Sequence, residues 1–131
     1  AVDIAAPRDR VWALLTDAAG FPDWNSTVVS VDGQIAEGQT IRLVAHSAPD
    51  RVFKLKISDV VAGESMTWSD GFAPMFRGVR TYRLTEHDGG VRFEMTEVLS
   101  GLMLPMIVGS LPDFGPVFEA YAADLKAAAE A

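Results

Sequence analysis

The feature that most constrains this chain is a long β-hairpin centred on Asp88–Gly89, a dipeptide typical of two-residue turns. Strand-like alternation runs along Phe76–His87 before the turn and Val91–Ser100 after it. Counting outward from the turn pairs Leu84 with Phe93, Tyr82 with Met95, Arg80 with Glu97, Arg83 with Glu94, Thr81 with Thr96 and Val79 with Val98. Size and charge match on both faces of this hairpin, and a slip of one residue would turn the apolar row outward, so the register is well specified.

Alternation from about Ser26 onward predicts further antiparallel strands before the hairpin. The apolar positions of two such strands are Ile41, Leu43 and Ala45, and then Phe53, Leu55 and Ile57. Strict alternation of these apolar residues with lysines predicts that one face of the sheet is buried and the other, the wet face, is exposed to solvent. Turns are expected at Ser47–Arg51 and at Ala62–Gly63, and the second sets Trp68 opposite Ile57.

Helical patterns frame the strands. Ala1–Ile4 predicts the end of a strand, and Pro7 suits the first turn of a helix. The apolar stripe of that helix is Val11, Leu14 and Leu15. Gly20 and Pro22 interrupt Asp17–Trp24, which predicts a broken second helix or a turn.

The C-terminal segment predicts a long helix with one apolar face. Its apolar residues recur at spacings of four, three, four and three, at Phe114, Phe118, Tyr121, Leu125 and Ala128. Pro112, Gly115 and Pro116 are expected to bend or split it. The whole pattern predicts an α+β fold, a curved antiparallel sheet wrapped around the C-terminal helix, as one domain over residues 1–131.

Composition excludes several classes of function. The chain has 131 residues, with 11 Lys and Arg against 18 Asp and Glu, a net charge of −7. Such an acidic surface repels nucleic acid and anionic lipid. Zero cysteines exclude disulfides, thiol nucleophiles and iron–sulfur clusters. No apolar run is long enough to insert into a membrane, so we expect a cytoplasmic protein.

The opening and the last predicted strand together resemble a known superfamily. The opening resembles that of START-like helix-grip (SRPBCC) domains at Ala6–Pro7, Val11–Trp12, Leu14–Leu15 and 21–25. This superfamily includes polyketide cyclase/dehydrase and lipid-transport domains. The stretch 93–102 resembles the last strand in a bacterial branch of that group. The order of elements matches over essentially the whole chain. The resemblance implies an apolar cavity between the sheet and the C-terminal helix, and it leaves the reaction, if any, open because this fold hosts many functions.

Inward-facing aromatic and methionine residues are the candidate lining of that cavity. They are Trp24, Phe53, Trp68, Met75, Phe76, Tyr82, Met95, Phe114, Phe118 and Tyr121. For any single one, ordinary core packing is the simpler interpretation. Together they exceed what a flat sheet-on-helix layer needs, which favours a binding pocket.

Arg80 and Glu97 interrupt the apolar inward row and face each other in the hairpin register. A charge on an apolar face is costly unless it is paired, so we expect an ion pair between them. The pair is either structural or a polar anchor for a ligand.

The favoured function is binding of a small hydrophobic or amphipathic molecule, a lipid or an aromatic metabolite, with no cofactor and with a homodimer possible. One alternative is a cyclase or dehydratase in which Glu97 is the base and Arg80 or Tyr82 polarises a carbonyl. A second alternative is a protein-interaction domain of the chaperone-activator kind, which an exposed apolar patch containing tryptophan would favour. His46 and His87 fall on the wet face and beside a turn, and no carboxylate spacing resembles a metal site, so neither catalysis by histidine nor metal binding is expected.

Overall fold

A computed structural model of the chain describes residues 2–46, 48–72, 76–100 and 114–131. In chain order the elements are β1 (Val2–Ile4), α1 (Arg8–Thr16), a 3₁₀ turn (Ala18–Gly20), α2 (Phe21–Trp24), β2 (Val28–Asp32), β3 (Thr40–Ala45), β4 (Ala48–Val61), β5 (Ser65–Phe72), β6 (Phe76–His87), β7 (Gly90–Ser100) and α3 (Phe114–Glu130). The predicted short strand, the broken helical segment after α1 and the long C-terminal helix are all confirmed.

The strands form one open, curved, antiparallel sheet in the order β1-β7-β6-β5-β4-β3-β2. Each strand from β2 to β6 pairs with the next one along the chain, which short connections favour. The exception is β1, which pairs with β7, so that Val2 lies opposite Phe93. The buried face of the sheet packs against α3, and this confirms the predicted α+β helix-grip architecture.

The β6–β7 hairpin has the predicted register at every pair, including Arg80 opposite Glu97. Asp88 and Gly89 both have left-handed backbone angles, with φ of 50° and 81°. Two such residues are what a type I′ turn requires, and its twist matches that of the flanking strands. The prediction that Trp68 lies opposite Ile57 is also confirmed.

The predicted turn at Ser47–Arg51 is wrong. Strand β4 begins at Ala48, which pairs with Ala45, and Arg51 lies within the strand. The β3–β4 register shifts between this pair and the next regular pair, Leu43 with Phe53. Pro49 falls in that irregular stretch, and a bulge is a place where a strand tolerates proline because no ladder hydrogen bond is required there.

The prediction that glycine and proline would split the last helix is also wrong for Gly115 and Pro116, while a bend at these residues stays a prediction. Helix α3 begins at Phe114 and runs through both residues to Glu130. Pro116 is the third residue of the helix, in the first turn, where backbone N–H groups have no partner within the helix. Pro112 lies outside the described residues.

The C-terminal end of α3 is tied to the start of the chain. Arg10 Nε donates a hydrogen bond of 2.6 Å to the Ala129 carbonyl, and the Ala5 N–H donates one of 2.8 Å to Glu130. Lys126 Nζ donates to the Asp3 carbonyl at 2.9 Å. These contacts place α3 across the sheet with its first turn towards the Arg80 and Glu97 end of the hairpin.

Candidate functional site

A cluster of aromatic rings fills the middle of the space between the sheet and α3. Tyr82 is its centre, with ring centroids 4.8 Å from Trp68 and 5.8 Å from Tyr121. Trp24 lies against Tyr121 at 5.7 Å. The structure thus brings four predicted lining residues together, but their rings pack on one another as a core does.

Two further rings of this cluster, Phe21 and Phe93, were not among the predicted site residues. Both are fully buried, and their ring centroids lie 6.2 Å and 6.3 Å from that of Tyr121. The alternation of side chains along β7 places Phe93 on the inward-facing side, opposite Leu84. The sequence therefore contained the information needed to include Phe93 in the site. Phe21 carried no comparable signal, because its position depends on how the segment after α1 folds back over the sheet.

The other predicted lining residues have different surroundings. Phe53 is partly buried under the Arg51 guanidinium, 4.7 Å from the ring centroid, and makes no ring contact with the cluster among the described aromatic residues. Met95 is also partly buried at the edge of the core. Met75 and the side chains of Phe76 and Phe114 lie outside the described part of the chain.

Arg80 and Glu97 form the predicted ion pair on the inner face of the sheet. Arg80 Nε donates to Glu97 Oε2 at 3.1 Å, and the two side chains are 20% and 15% exposed. The Arg80 guanidinium also lies over the ring of Phe118, 5.0 Å from its centroid. Burial alone would lower the pKa of Arg80, but Tyr82 and Glu97 outweigh it and raise that pKa, so the arginine stays charged.

Two buried hydroxyl groups adjoin this pair. The hydroxyls of Tyr82 and Tyr121 interact electrostatically with Arg80 and with each other, yet neither makes a hydrogen bond of normal geometry within the described structure. Burial raises the pKa of Tyr82 and raises that of Tyr121 well above its usual value, so both are neutral phenols at pH 7. The indole N–H of Trp24 is likewise buried without a hydrogen-bond partner there.

Asp70 belongs to the same inner face and was not among the predicted site residues. It lies two residues after Trp68 on β5 and pairs with Gly78, two residues from Arg80. Burial raises the pKa of Asp70, and the charges of Arg51 and Arg80 oppose that rise. The signal was present in the sequence, because residues two apart in a strand share a face.

Gly78 makes room for the Glu97 carboxylate. A Cβ atom at this position would lie 3.2 Å from Glu97 Oε1 and 3.4 Å from a methyl group of Leu99. The absent side chain therefore lets the Glu97 carboxylate lie close to the backbone of β6. A glycine inside a strand often marks such a close approach.

An open apolar groove of about 310 Å³ runs along one side of this site, between β7 and α3. Phe93, Met95, Phe118 and Ala122 supply its apolar wall, and Glu119 and Lys126 are its charged residues. Phe118 is shared, since it lines the groove and also lies beneath Arg80. The structure thus has an apolar surface leading to a polar pair, whereas the closed cavity expected from the resemblance stays a prediction.

The two histidines lie away from this site, as predicted. His46 is exposed after β3, and His87 lies beside the hairpin turn, with Nε2 3.2 Å from Asp88 Oδ2. The described residues contain no group of three or more His, Asp or Glu side chains placed to hold a metal ion. No helix among them is long and apolar enough to cross a bilayer.

A curved antiparallel sheet that grips a C-terminal helix, with a charged pair at one end of the enclosed aromatic row, defines a helix-grip protein. Known structures share this fold. A protein of Mesorhizobium loti is 17% identical with a TM-score of 0.73, and the match covers 97% of this chain and 93% of that one. Protein Ms6760 of Mycobacterium smegmatis is 18% identical with a TM-score of 0.73, over 96% of this chain and 85% of that one.

A third structure is the di-domain ARO/CYC protein BexL of the BE-7585A biosynthetic pathway. It is 20% identical with a TM-score of 0.67, over 99% of this chain and 48% of that one. A comparison with curated proteins found no match. The model of the family described as polyketide cyclase/dehydrase and lipid transport matches residues 1–130. This chain belongs to that family.

Proposed function

We propose that this protein binds a small hydrophobic or amphipathic molecule, a lipid or an aromatic, polyketide-like metabolite, between the sheet and α3. The observation that carries this proposal is the pair of buried hydroxyls on Tyr82 and Tyr121, which lie beside a charged pair and make no hydrogen bond of normal geometry within the described structure. Buried polar groups are nearly always hydrogen-bonded, and each unpaired one costs about 1–3 kcal/mol. A role in packing alone does not account for keeping two of them.

The groove supplies the apolar half of such a site. Met95 and Phe118 line it, and both adjoin the ion pair: Met95 is two residues from Glu97 on the same face of β7, and Phe118 lies under Arg80. Methionine and aromatic side chains form adaptable apolar surfaces. An amphipathic molecule could lie along this surface with its polar end towards Arg80 and Glu97. Family membership supports the proposal, because the family includes lipid transport.

The test is saturable binding of N-phenyl-1-naphthylamine, an uncharged dye that fluoresces in apolar surroundings. Ala122 lines the groove, and Ala127, on the same helix, is exposed. We expect Ala122→Leu to weaken dye binding by about tenfold or more, since the added methyl groups occupy the groove, and the matched Ala127→Leu to leave it unchanged. Equal binding by both variants, or no saturable binding by the wild-type protein, would refute the proposal.

A hydroxyl test adds an independent readout. Tyr121→Phe removes one hydroxyl that makes no hydrogen bond of normal geometry and keeps the ring that packs on Tyr82 and Phe93. We expect the free energy of unfolding to be unchanged or to rise by up to about 3 kcal/mol, since the cost of an unsatisfied buried hydroxyl is relieved. A loss of stability of more than about 1 kcal/mol would mean that the hydroxyl is already satisfied within the protein, and the main support for the proposal would be removed.

The cyclase or dehydratase alternative would use the same residues. Arg80, Glu97 and Tyr82 adjoin one another, and a neutral phenol beside an arginine can polarise a carbonyl. The two functions are distinguished by turnover: Glu97→Gln would abolish a reaction that needs a base, while a carrier has no reaction to lose.

The chaperone-activator alternative has less support. The large hydrophobic residues that are exposed in the described structure are four valines, Val29, Val52, Val61 and Val98. Trp68 is fully buried, and Trp12 and Trp24 are partly buried against the core. The exposed tryptophan patch that would favour this alternative is thus not found among these residues.

A further inference from the structure

We propose that the bound molecule carries an uncharged, hydrogen-bonding head, such as a hydroxyl, ketone or amide, and that Glu97 excludes carboxylates. This inference rests on the proposed function and specifies the class of ligand. It follows from the charges on the inner face of the sheet, where four charged side chains lie on neighbouring strands. We call Arg51, Asp70, Arg80 and Glu97 the charged row.

The members of the charged row lie on four neighbouring strands, β4, β5, β6 and β7, and alternate in sign. Arg80 faces Glu97 directly in the β6–β7 ladder. Asp70 lies diagonally from Arg80, since it pairs with Gly78, and it interacts electrostatically with both Arg80 and Arg51. Two positive and two negative charges cancel, so the row presents no net charge to a ligand.

Arg80 would be the natural partner for a ligand carboxylate, but its charge is already paired with that of Glu97. Its Nε donates a hydrogen bond to Glu97, and its guanidinium lies over the ring of Phe118. A ligand carboxylate bound to Arg80 would also lie close to the negatively charged carboxylates of Glu97 and Asp70. Like charges a few ångströms apart in a partly buried site repel strongly, because little water is present to screen them.

A cationic head meets the opposite difficulty. Glu97 already has Arg80 as its partner, and a second cation would lie against the fixed positive charge of that guanidinium. Burial leaves such a charge without compensating water. An uncharged head avoids both costs, and it can donate to Glu97 or accept from the hydroxyls of Tyr82 and Tyr121, which make no hydrogen bond of normal geometry in the described structure.

The experiment compares three probes that share one naphthalene ring and differ in head charge at pH 7. They are 2-naphthol, which is neutral, 2-naphthoate, which is an anion, and 2-naphthylmethylammonium, which is a cation. Each displaces N-phenyl-1-naphthylamine from the wild-type protein in a competition titration. We expect 2-naphthol to bind at least about tenfold more tightly than either ion, a ratio equivalent to about 1.4 kcal/mol.

A charge variant tests the role of Glu97. Glu97→Gln removes the negative neighbour of Arg80, so the preference for 2-naphthol over 2-naphthoate should fall by about tenfold or more. The matched control is Glu94→Gln, which makes the same change in net charge on β7 but at a position that pairs with Arg83 on the other face of the sheet. The control should leave the preference unchanged. If Glu97→Gln fails to fold, Asp70→Asn removes the other negative charge near Arg80 and should move the preference in the same direction.

The outcomes separate this inference from the proposed function. If the dye does not bind the wild-type protein, the proposed function fails. If the dye binds and 2-naphthoate competes as well as or better than 2-naphthol, binding stands and the inference about the head group is overturned. It is also overturned if Glu94→Gln shifts the preference as much as Glu97→Gln, since the effect would then be one of overall charge.

Discussion

Arg80 Nε lies 3.1 Å from Glu97 Oε2, and the two residues are directly opposite each other in the β6–β7 ladder. Each is the partner that makes the other tolerable on a largely buried face of the sheet. Replacing one member of such a pair leaves a buried charge uncompensated, while replacing both leaves none. This asymmetry gives the first prediction.

We expect Arg80→Met and Glu97→Leu each to lower the free energy of unfolding by about 3 kcal/mol, and the double variant Arg80→Met/Glu97→Leu to lower it by less than either. Urea denaturation of the four proteins measures the coupling as a double-mutant cycle. Arg83 and Glu94, which form the matched pair on the wet face, serve as the control, and their cycle should show about 0–1 kcal/mol of coupling. Additive losses at Arg80 and Glu97 would contradict the prediction.

A methyl group at Gly78 should disturb the Glu97 carboxylate. Alanine inside a strand is normally more stable than glycine by about 0.5–1 kcal/mol. Here the added Cβ would lie 3.2 Å from Glu97 Oε1, so we expect Gly78→Ala to be destabilising instead.

The control for this second prediction removes the carboxylate. In a Glu97→Ala background the close contact is gone, and Gly78→Ala should cost less than it does in the wild-type protein. Thermal or urea unfolding of the four proteins measures this. An equal cost in both backgrounds would show that the glycine is required for another reason.

Asp70 should make stability depend on pH. Because burial raises its folded pKa above the ordinary value of 3.8, ionisation of Asp70 costs more in the folded than in the unfolded protein. Its contribution is therefore most favourable at pH values below the unfolded pKa, and it declines as the pH rises through the folded pKa. Asp70→Asn removes this dependence.

The free energy of unfolding of Asp70→Asn, relative to wild type, should thus be higher at pH 7 than at pH 3. Urea denaturation at the two pH values measures the difference. The opposite trend would mean that Arg51 and Arg80 stabilise the ionised carboxylate more than burial destabilises it.

The strands that could be predicted from the sequence are those in which residues on both faces of the sheet match their cross-strand partners. The β6–β7 register follows from a turn dipeptide and from matched pairs on each face, so the sequence alone places Arg80 opposite Glu97. The start of β4 could not be predicted in the same way. Proline and aspartate after Ala48 favour a turn locally, and only the pairing with β3 reveals that Pro49 lies in an irregular stretch of strand.

The candidate site could be predicted less completely. The ion pair and the strand residues of the aromatic cluster follow from the alternation of inward and outward side chains, but Phe21 does not. Arg51 falls in the wrongly predicted turn, and no turn dipeptide like Asp88–Gly89 fixes the register of Asp70 against β6. The open groove also could not be foreseen. Its volume depends on how closely α3 approaches β7, and this is set by sheet curvature and by contacts at the far end of the helix, not by the periodicity of either element.

Those far-end contacts determine how α3 behaves as a rod. Arg10, Ala5 and Asp3 hold its last turn, around Lys126 to Glu130, in three places. Phe118 lies eight residues earlier than Lys126, about 12 Å along the axis at the rise of an α-helix. When a helix tilts about one end, residues move further the more distant they are from that end. A small tilt about the C-terminal turn therefore moves Phe118 away from Arg80 while barely altering the contacts of Lys126.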